Sequence, residues 1–226
     1  MAAERPTTTV RSPLTRERVL AGAVAVADAG GLAALTIRTL ADELGVKPMA
    51  VYHHVAGKDE ILDGIADIVF GEIELPVIGG DWRAEMRRRA TSARAVLARH
   101  PWAIPLLESR TSPGPALLRH HDAVIGTLRT AGFPVALTAH AVAVLDAFVY
   151  GFALQEATLP FDSPDDVAPL AESILADLPA GAYPWLAELA TEHVMRPGYD
   201  FGDEFDVGLD LILDGLVRRL ADERGS

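Results

Sequence analysis

The chain contains no cysteine. Disulfides, thiolate metal sites and cysteine nucleophiles are therefore excluded. Lysine is almost absent, two against eighteen arginines, a bias that fits a GC-rich genome better than a chemical demand. The segment Met1 to Thr15 lacks the apolar centre of a signal peptide. The most apolar stretch, Pro134 to Leu154, is interrupted by His140 and Asp146. An aspartate in mid-membrane is unfavourable by roughly 2.5–3.5 kcal/mol, so this stretch predicts a buried helix, no membrane partner and a cytoplasmic protein. A nucleophile elbow, a phosphate-binding glycine loop and an H-E-x-x-H helix are all missing. No two histidines stand three or four residues apart. Neither a metal nor a cofactor is expected. An all-helical enzyme is a further alternative, resting only on Asp146, a lone carboxylate in an apolar helix.

What is present is a core-forming composition, 50% hydrophobic and 23% charged over 226 residues. The net charge of −12 is unevenly spread. Residues 1–60 hold seven basic and seven acidic side chains, so residues 61–226 carry the whole imbalance. A face for nucleic acid belongs in the first part, because the acidic remainder repels phosphate. Strand-type alternation is lacking, and the apolar residues recur at the helical period. The expected class is all-α. Helices are predicted from Thr15 to Gly30-Gly31, from Thr36 to Gly45, from Pro48 to about His54, and from Gly57 onwards. Beyond the Pro76–Gly80 loop they are predicted at about 81–99, 102–109, 114–131, 134–158, 165–177, 184–194 and 203–222.

The densest signal is LTIRTLADELGVKPMAVYHHVAGK, residues 35–58. Leu40, Leu44, Val46 and Val51 can pack two short helices, Ala41 leaves room for their crossing, and Gly45 suits the turn. In such a helix-turn-helix the second helix leads into the major groove with its N-terminal residues, here Lys47, Pro48, Met49 and Ala50. Met49 and Ala50 suit thymine methyl groups. Arg38 is a candidate for guanine or for phosphate, His53 for a base edge or for phosphate. Thr36 stands at a helix start, where a backbone N–H can meet phosphate.

At Thr36, Arg38, Leu40-Ala41, Gly45-Val46, Val51-Tyr52, His54 and Lys58 the sequence resembles the TetR family of transcriptional regulators. The resemblance is close over about residues 15–62. The later helices look most like the branch containing the tetracycline repressor, notably in Tyr52-His53-His54-Val55 and the helix Phe205 to Leu220. It implies a three-helix DNA-binding unit at 15–62 and a helical ligand-binding and dimerisation domain at 63–226. Residues 1–14 are expected to form a flexible arm, with Arg5, Arg11 and Arg16 either touching a minor groove or simply disordered. The family's matching positions imply phosphate contacts for Tyr52, His54 and Lys58.

Two recognition helices one DNA turn apart, about 34–36 Å, require a dimer. The expected interface joins helices 134–158 and 203–222 through Gly151, Phe205, Gly208, Leu209, Ile212, Gly215, Leu216 and Leu220. The same stripe also reads as core within one chain. An effector cavity is expected among Met86, Trp102, Leu106, His121, Ile125, Asp146, Phe148, Phe152 and Gln155. Where the tetracycline repressor has a carboxylate beside its magnesium–drug complex, this chain has Gln155, followed by Glu156, and an amide is a poor ligand for a hard cation. The resulting expectation is a dimeric repressor of a palindromic operator, released by a small, largely apolar organic effector. The alternative is a DNA-binding regulator without an effector.

Overall fold

The structure is a computed structural model describing residues 13–107, 109, 112–161, 163–179 and 181–225. The expected arm lies outside the described residues except for Pro13 and Leu14. Eleven α-helices and no strand occur among the described residues.

The N-terminal unit comprises α1 (Arg16–Ala34), α2 (Ile37–Leu44) and α3 (Pro48–Val51). Thr15 caps α1, its hydroxyl accepting from the N–H of Arg18. The Gly30-Gly31 pair kinks α1 rather than ending it: Gly31 takes φ 70°, and the chain then turns once more to Ala34. Thr36 and Thr39 form a reciprocal capping box at the start of α2. Gly45, at φ 65°, occupies the left-handed region at its end, and Val46 N–H returns to Ala41 O at 2.9 Å. A side chain would strain this turn. Pro48 starts α3, which is shorter than expected because Tyr52 to His54 leave the helix as a turn. Val19, Leu40, Ala41 and Val51 are fully buried between the three helices.

Helix α4 (Lys58–Glu72) packs on α1 at one end and on α7 at the other. It therefore runs straight through the division expected at residue 62. Its contact with α1 is close: a Cβ at Gly64 would meet Leu20 Cδ2 at 2.6 Å. Arg16 does not reach outward as part of an arm. It pairs with Glu60 at 3.0 Å, and Glu60 also receives the N–H of Ala56.

The larger part is a helical bundle of α5 (Trp82–Arg99), α6 (Ile104–Leu107), α7 (Pro115–Thr130), α8 (Val135–Ala157) and α11 (Glu204–Gly225). Between α8 and α11 lie α9 (Val167–Ala176) and α10 (Pro184–Leu189), linked by a short π-helical turn at 190–194 and 3-10 turns. Helix α8 is long and apolar enough to cross a membrane by length and composition. Here it packs against α5, α7 and α11.

Candidate nucleic-acid interface and ligand cavity

The residues expected to meet DNA lie on α2, on α3 with its following turn, and at the first residue of α4. Arg38, Lys47, Pro48, His53 and Lys58 are exposed, Met49 is 68% exposed and Tyr52 47% exposed, while Ala50 and His54 are half-buried. Tyr52 is thus no core tyrosine. One expectation needs correcting. The N–H of Thr36 is engaged, donating to Thr39 Oγ1 at 2.9 Å. The N–H groups left to face an anion at this helix start are those of Ile37 and Arg38, which have no intrahelical acceptor.

Two carboxylates, one on α1 and one on α4, tie the helices flanking α2 and α3 to the bundle. Asp28 of α1 receives the indole N–H of Trp102 at 2.6 Å and meets His100 Nδ1 at 2.7 Å. Asp67 of α4 accepts the N–H groups of Ala116 and Leu117 at 2.8 and 3.0 Å, capping the start of α7 from another helix. Gly114 is required there, since a Cβ would lie 2.2 Å from the Asp67 side chain.

A cavity of about 750 Å³ opens between α7 and α8. From α7 come His121, Ile125 and Arg129; from α8 come Val135, Thr138, Val142, Asp146 and Tyr150, with alanines at 139, 143 and 147. Its size suits a small organic molecule. Behind Asp146 lies a buried polar cluster. Arg89 of α5, 2% exposed, places Nη2 2.6 Å from Asp146 Oδ1, an ion pair without hydrogen-bond alignment. Arg89 Nε–H donates to His120 Nε2 at 3.0 Å. His120 must therefore carry its proton on Nδ1, which is buried and without a hydrogen-bond partner among the described residues. Burial, then the positive charge of Arg89, lowers the His120 pKa to about 3, so the imidazole is neutral near pH 7.

Of the residues expected around an effector, His121, Ile125 and Asp146 line this cavity, and the other six do not. Met86 is fully buried in the α5 core. Trp102 bonds Asp28 instead. Leu106 lies beside Asp67 and Phe70 in a crevice far too small for a ligand. Phe148 and Phe152 belong to an aromatic cluster: Phe148 stacks on Phe205 at 5.3 Å and Phe152 on Phe201 at 4.8 Å. Arg94 lies over both Phe152 and Phe205 and pairs with Glu156 at 3.0 Å. Gln155 is exposed. The helical period explains the error: Phe148 follows Asp146 by two residues, about 200° around the helix, so the two cannot face one cavity.

Arg89, Arg129, Thr138 and Tyr150 were missed. Arg89 had a readable signal. It stands in register with Ala93 and Leu97 on the buried stripe of α5, where an arginine demands an acid. Arg129 gave no such signal, sitting in the basic last turn of its helix.

The expected interface stripe also needs correction. Phe205, Leu209, Leu216 and Leu220 are buried inside the chain's own fold, and Ile212 is packed against the same core. A Cβ at Gly208 would strike Phe148 of the same chain at 2.6 Å, whereas Gly151 and Gly215 face open space. Facing outward instead are Val207 and Leu211 of α11, 57% and 68% exposed, and Val144 and Leu154 of α8.

Comparison with known proteins matches residues 19–65 to the family described as bacterial regulatory proteins, tetR family. Residues 75–220 match the tetracyclin repressor-like C-terminal domain. The chain is 35% identical to the HTH-type transcriptional repressor DrrR1 of Streptomyces coeruleorubidus, over 98% of this chain and 84% of the relative. It is 29% identical to the class A tetracycline repressor from Escherichia coli, over 84% of each. The crystal structure of ActR from Streptomyces coelicolor in complex with actinorhodin superposes with a TM-score of 0.77 at 30% identity, covering 92% of this chain and 99% of that one.

Proposed function

Because the chain belongs to the TetR family of bacterial transcriptional regulators, we propose that it is a dimeric cytoplasmic repressor that leaves a palindromic operator when a small organic effector fills the α7–α8 cavity. The family is not enzymatic, and the mechanism needed is a transfer of binding energy between two sites. The single observation carrying the proposal is that this cavity of about 750 Å³ is built on α7, whose first turn is held by Asp67 of α4. Helix α4 also packs on α1 of the DNA-binding unit. An effector that displaces α7 thereby moves α4 and alters the spacing of the two recognition helices. A differential affinity of ~3 kcal/mol for the spread state weakens operator binding more than a hundredfold.

At the operator, Met49 and Ala50 meet bases, Arg38 a base or phosphate, and Tyr52, His54 and Lys58 phosphates. Dimerisation uses Val207, Leu211 and Gly215 of α11, four residues apart and so on one face, against Val144, Gly151 and Leu154 of α8. The effector needs no divalent ion, because Gln155 lies outside the cavity and Glu156 is held by Arg94. That ActR has been crystallised with actinorhodin supports an organic effector for this chain as well.

The test begins with selection of DNA from a random duplex library, followed by compound screening for release in anisotropy measurements. The expected result is a palindrome bound by one dimer and released equally well with chelator present. Binding as a monomer to a non-palindromic site would overturn the dimeric reading. Failure of every released-DNA screen combined with ligand-free saturation of the cavity by bulky substitution without effect on binding would overturn the effector.

A further inference from the structure

The charge inside the cavity restricts what it can hold. Its lining includes one carboxylate and one guanidinium, Asp146 and Arg129. They are not a pair. Asp146 is already neutralised from behind by Arg89 at 2.6 Å. Arg129 donates Nη1 to the backbone carbonyl of Phe133, and among the described residues no carboxylate lies within ion-pair distance of it. In a chain with twelve more acids than bases, every arginine of α5 has found a carboxylate. Arg129, exposed at the rim of the cavity it helps to line, has not. The Phe133 contact occupies one of five N–H donors, so a second, bidentate acceptor fits without breaking it.

The positions along the helices add a length. Arg129 lies eight residues beyond His121 on α7, and Asp146 eight beyond Thr138 on α8, in each case about 12 Å along the axis. Arg129 therefore marks one end of the cavity, near the turn joining α7 to α8. His121, Asp146 and Tyr150 mark the other, and Ile125, Val142 and the alanines lie between.

We propose that the effector is an elongated, apolar acid whose carboxylate or phenolate pairs with Arg129, its uncharged body lying along the aliphatic wall. The proposal rests on the α7–α8 cavity being the effector site, and specifies the charge of what enters it. Arg129 is exposed while the cavity is empty, so an amide of the same shape lying over it would strip water from the guanidinium without supplying a counter-charge, which disfavours it. A cationic ligand would meet Arg129 directly and find Asp146 already paired.

Anthracene-2-carboxylic acid and anthracene-2-carboxamide, both fluorescent, are suitable probes for titration of the full-length protein. The acid is expected to bind at least tenfold more tightly than the amide. In Arg129→Gln the two affinities should converge to within about twofold, and in Arg129→Lys part of the preference should return. A merely structural role for Arg129 as the cap of α7 would lower both affinities together and leave their ratio alone, which overturns the proposal. Equal affinities in the wild type overturn it too, while leaving the cavity reading in place. Val142→Trp, which fills the middle of the cavity, should abolish binding of both. If it does not, or if neither probe binds the wild type, the cavity reading falls and the acid proposal with it.

Discussion

The indole N–H of Trp102 donates to Asp28 Oδ1 at 2.6 Å, joining a residue just after α5 to the first helix of the DNA-binding unit. His100 Nδ1 reaches the same oxygen at 2.7 Å. One carboxylate thus fastens two parts of the chain 74 residues apart. Trp102→Phe keeps most of the buried ring and removes only the donor. A hydrogen bond to a charged group contributes about 1.5–3 kcal/mol, and the partial exposure of Asp28 together with the remaining His100 contact argues for the lower end, about 1.5 kcal/mol. Urea unfolding should show that loss as a lower midpoint with an unchanged slope. An unaltered midpoint would mean that the contact contributes nothing to holding the unit in place.

Asp67 offers a separate test of how the two sites communicate. It caps α7 through two backbone N–H groups, and loss of such a cap costs about 0.5–2 kcal/mol. Asp67→Ala should therefore reduce stability by ~1 kcal/mol. Its sharper expected effect is on release: operator affinity without effector stays within a few-fold of wild type, while the effector-induced weakening shrinks at least tenfold. Anisotropy titrations with and without effector measure both. Full retention of the induced weakening would place the coupling elsewhere than the α4–α7 junction.

The ease of reading these elements differs for physical reasons. The helix-turn-helix is encoded locally: Thr36 caps, Gly45 turns and Pro48 restarts the chain, all within thirteen residues. Helix α8 is the opposite case. It is apolar on nearly every face, so its period does not say which face meets the core, the cavity or solvent. That ambiguity put Phe148 and Phe152 into the cavity and hid Tyr150. On α11 the pattern was clear, yet an apolar stripe looks the same whether it packs within a chain or across two. Phe205, Leu209 and Leu216 turn out to pack within. The Arg89–His120–Asp146 cluster joins three helices, with Arg89 and Asp146 57 residues apart in sequence; the buried stripe of α5 marks Arg89 as needing a partner, but nothing local says which residues supply it.

That cluster gives the protein a pH dependence whose sign follows from His120. Its pKa is lowered from 6.5 to about 3 by burial and by Arg89. Above pH 6.5 the imidazole is neutral whether the chain is folded or unfolded, and it adds no slope. Between pH 6.5 and about 3 only the unfolded chain takes up the proton, so stability falls as the pH falls, by at most ~1.4 kcal/mol per unit for a fully differential proton. His120→Gln keeps an acceptor for Arg89 and cannot titrate. Urea unfolding at pH 7.0, 6.0 and 5.0 should show a shallower acid-side loss in the variant than in the wild type. Parallel losses in both would mean that His120 protonates in the folded protein as readily as in the unfolded chain.

In the proposed dimer the two faces of α11 separate folding from association. Leu216 is 6% exposed and packs inside its own chain, whereas Leu211 is 68% exposed and stands on the face containing Val207 and Gly215. An unpaired carboxylate in a dry core costs several kcal/mol, a large share of the 5–15 kcal/mol that holds a domain together. Leu216→Glu should therefore give insoluble or unfolded protein. Leu211→Glu adds its charge to a surface that is solvated in the single chain, so a folded protomer is expected, with wild-type helicity by circular dichroism. Across a twofold axis the same substitution places two carboxylates in an apolar seam, and light scattering should report a monomer. Operator affinity should then drop to the level of one recognition helix, although Lys47, Tyr52 and Lys58 are untouched. A stable Leu211→Glu dimer would move the interface off this face of α11. A soluble, folded Leu216→Glu protein would contradict the burial of that side chain.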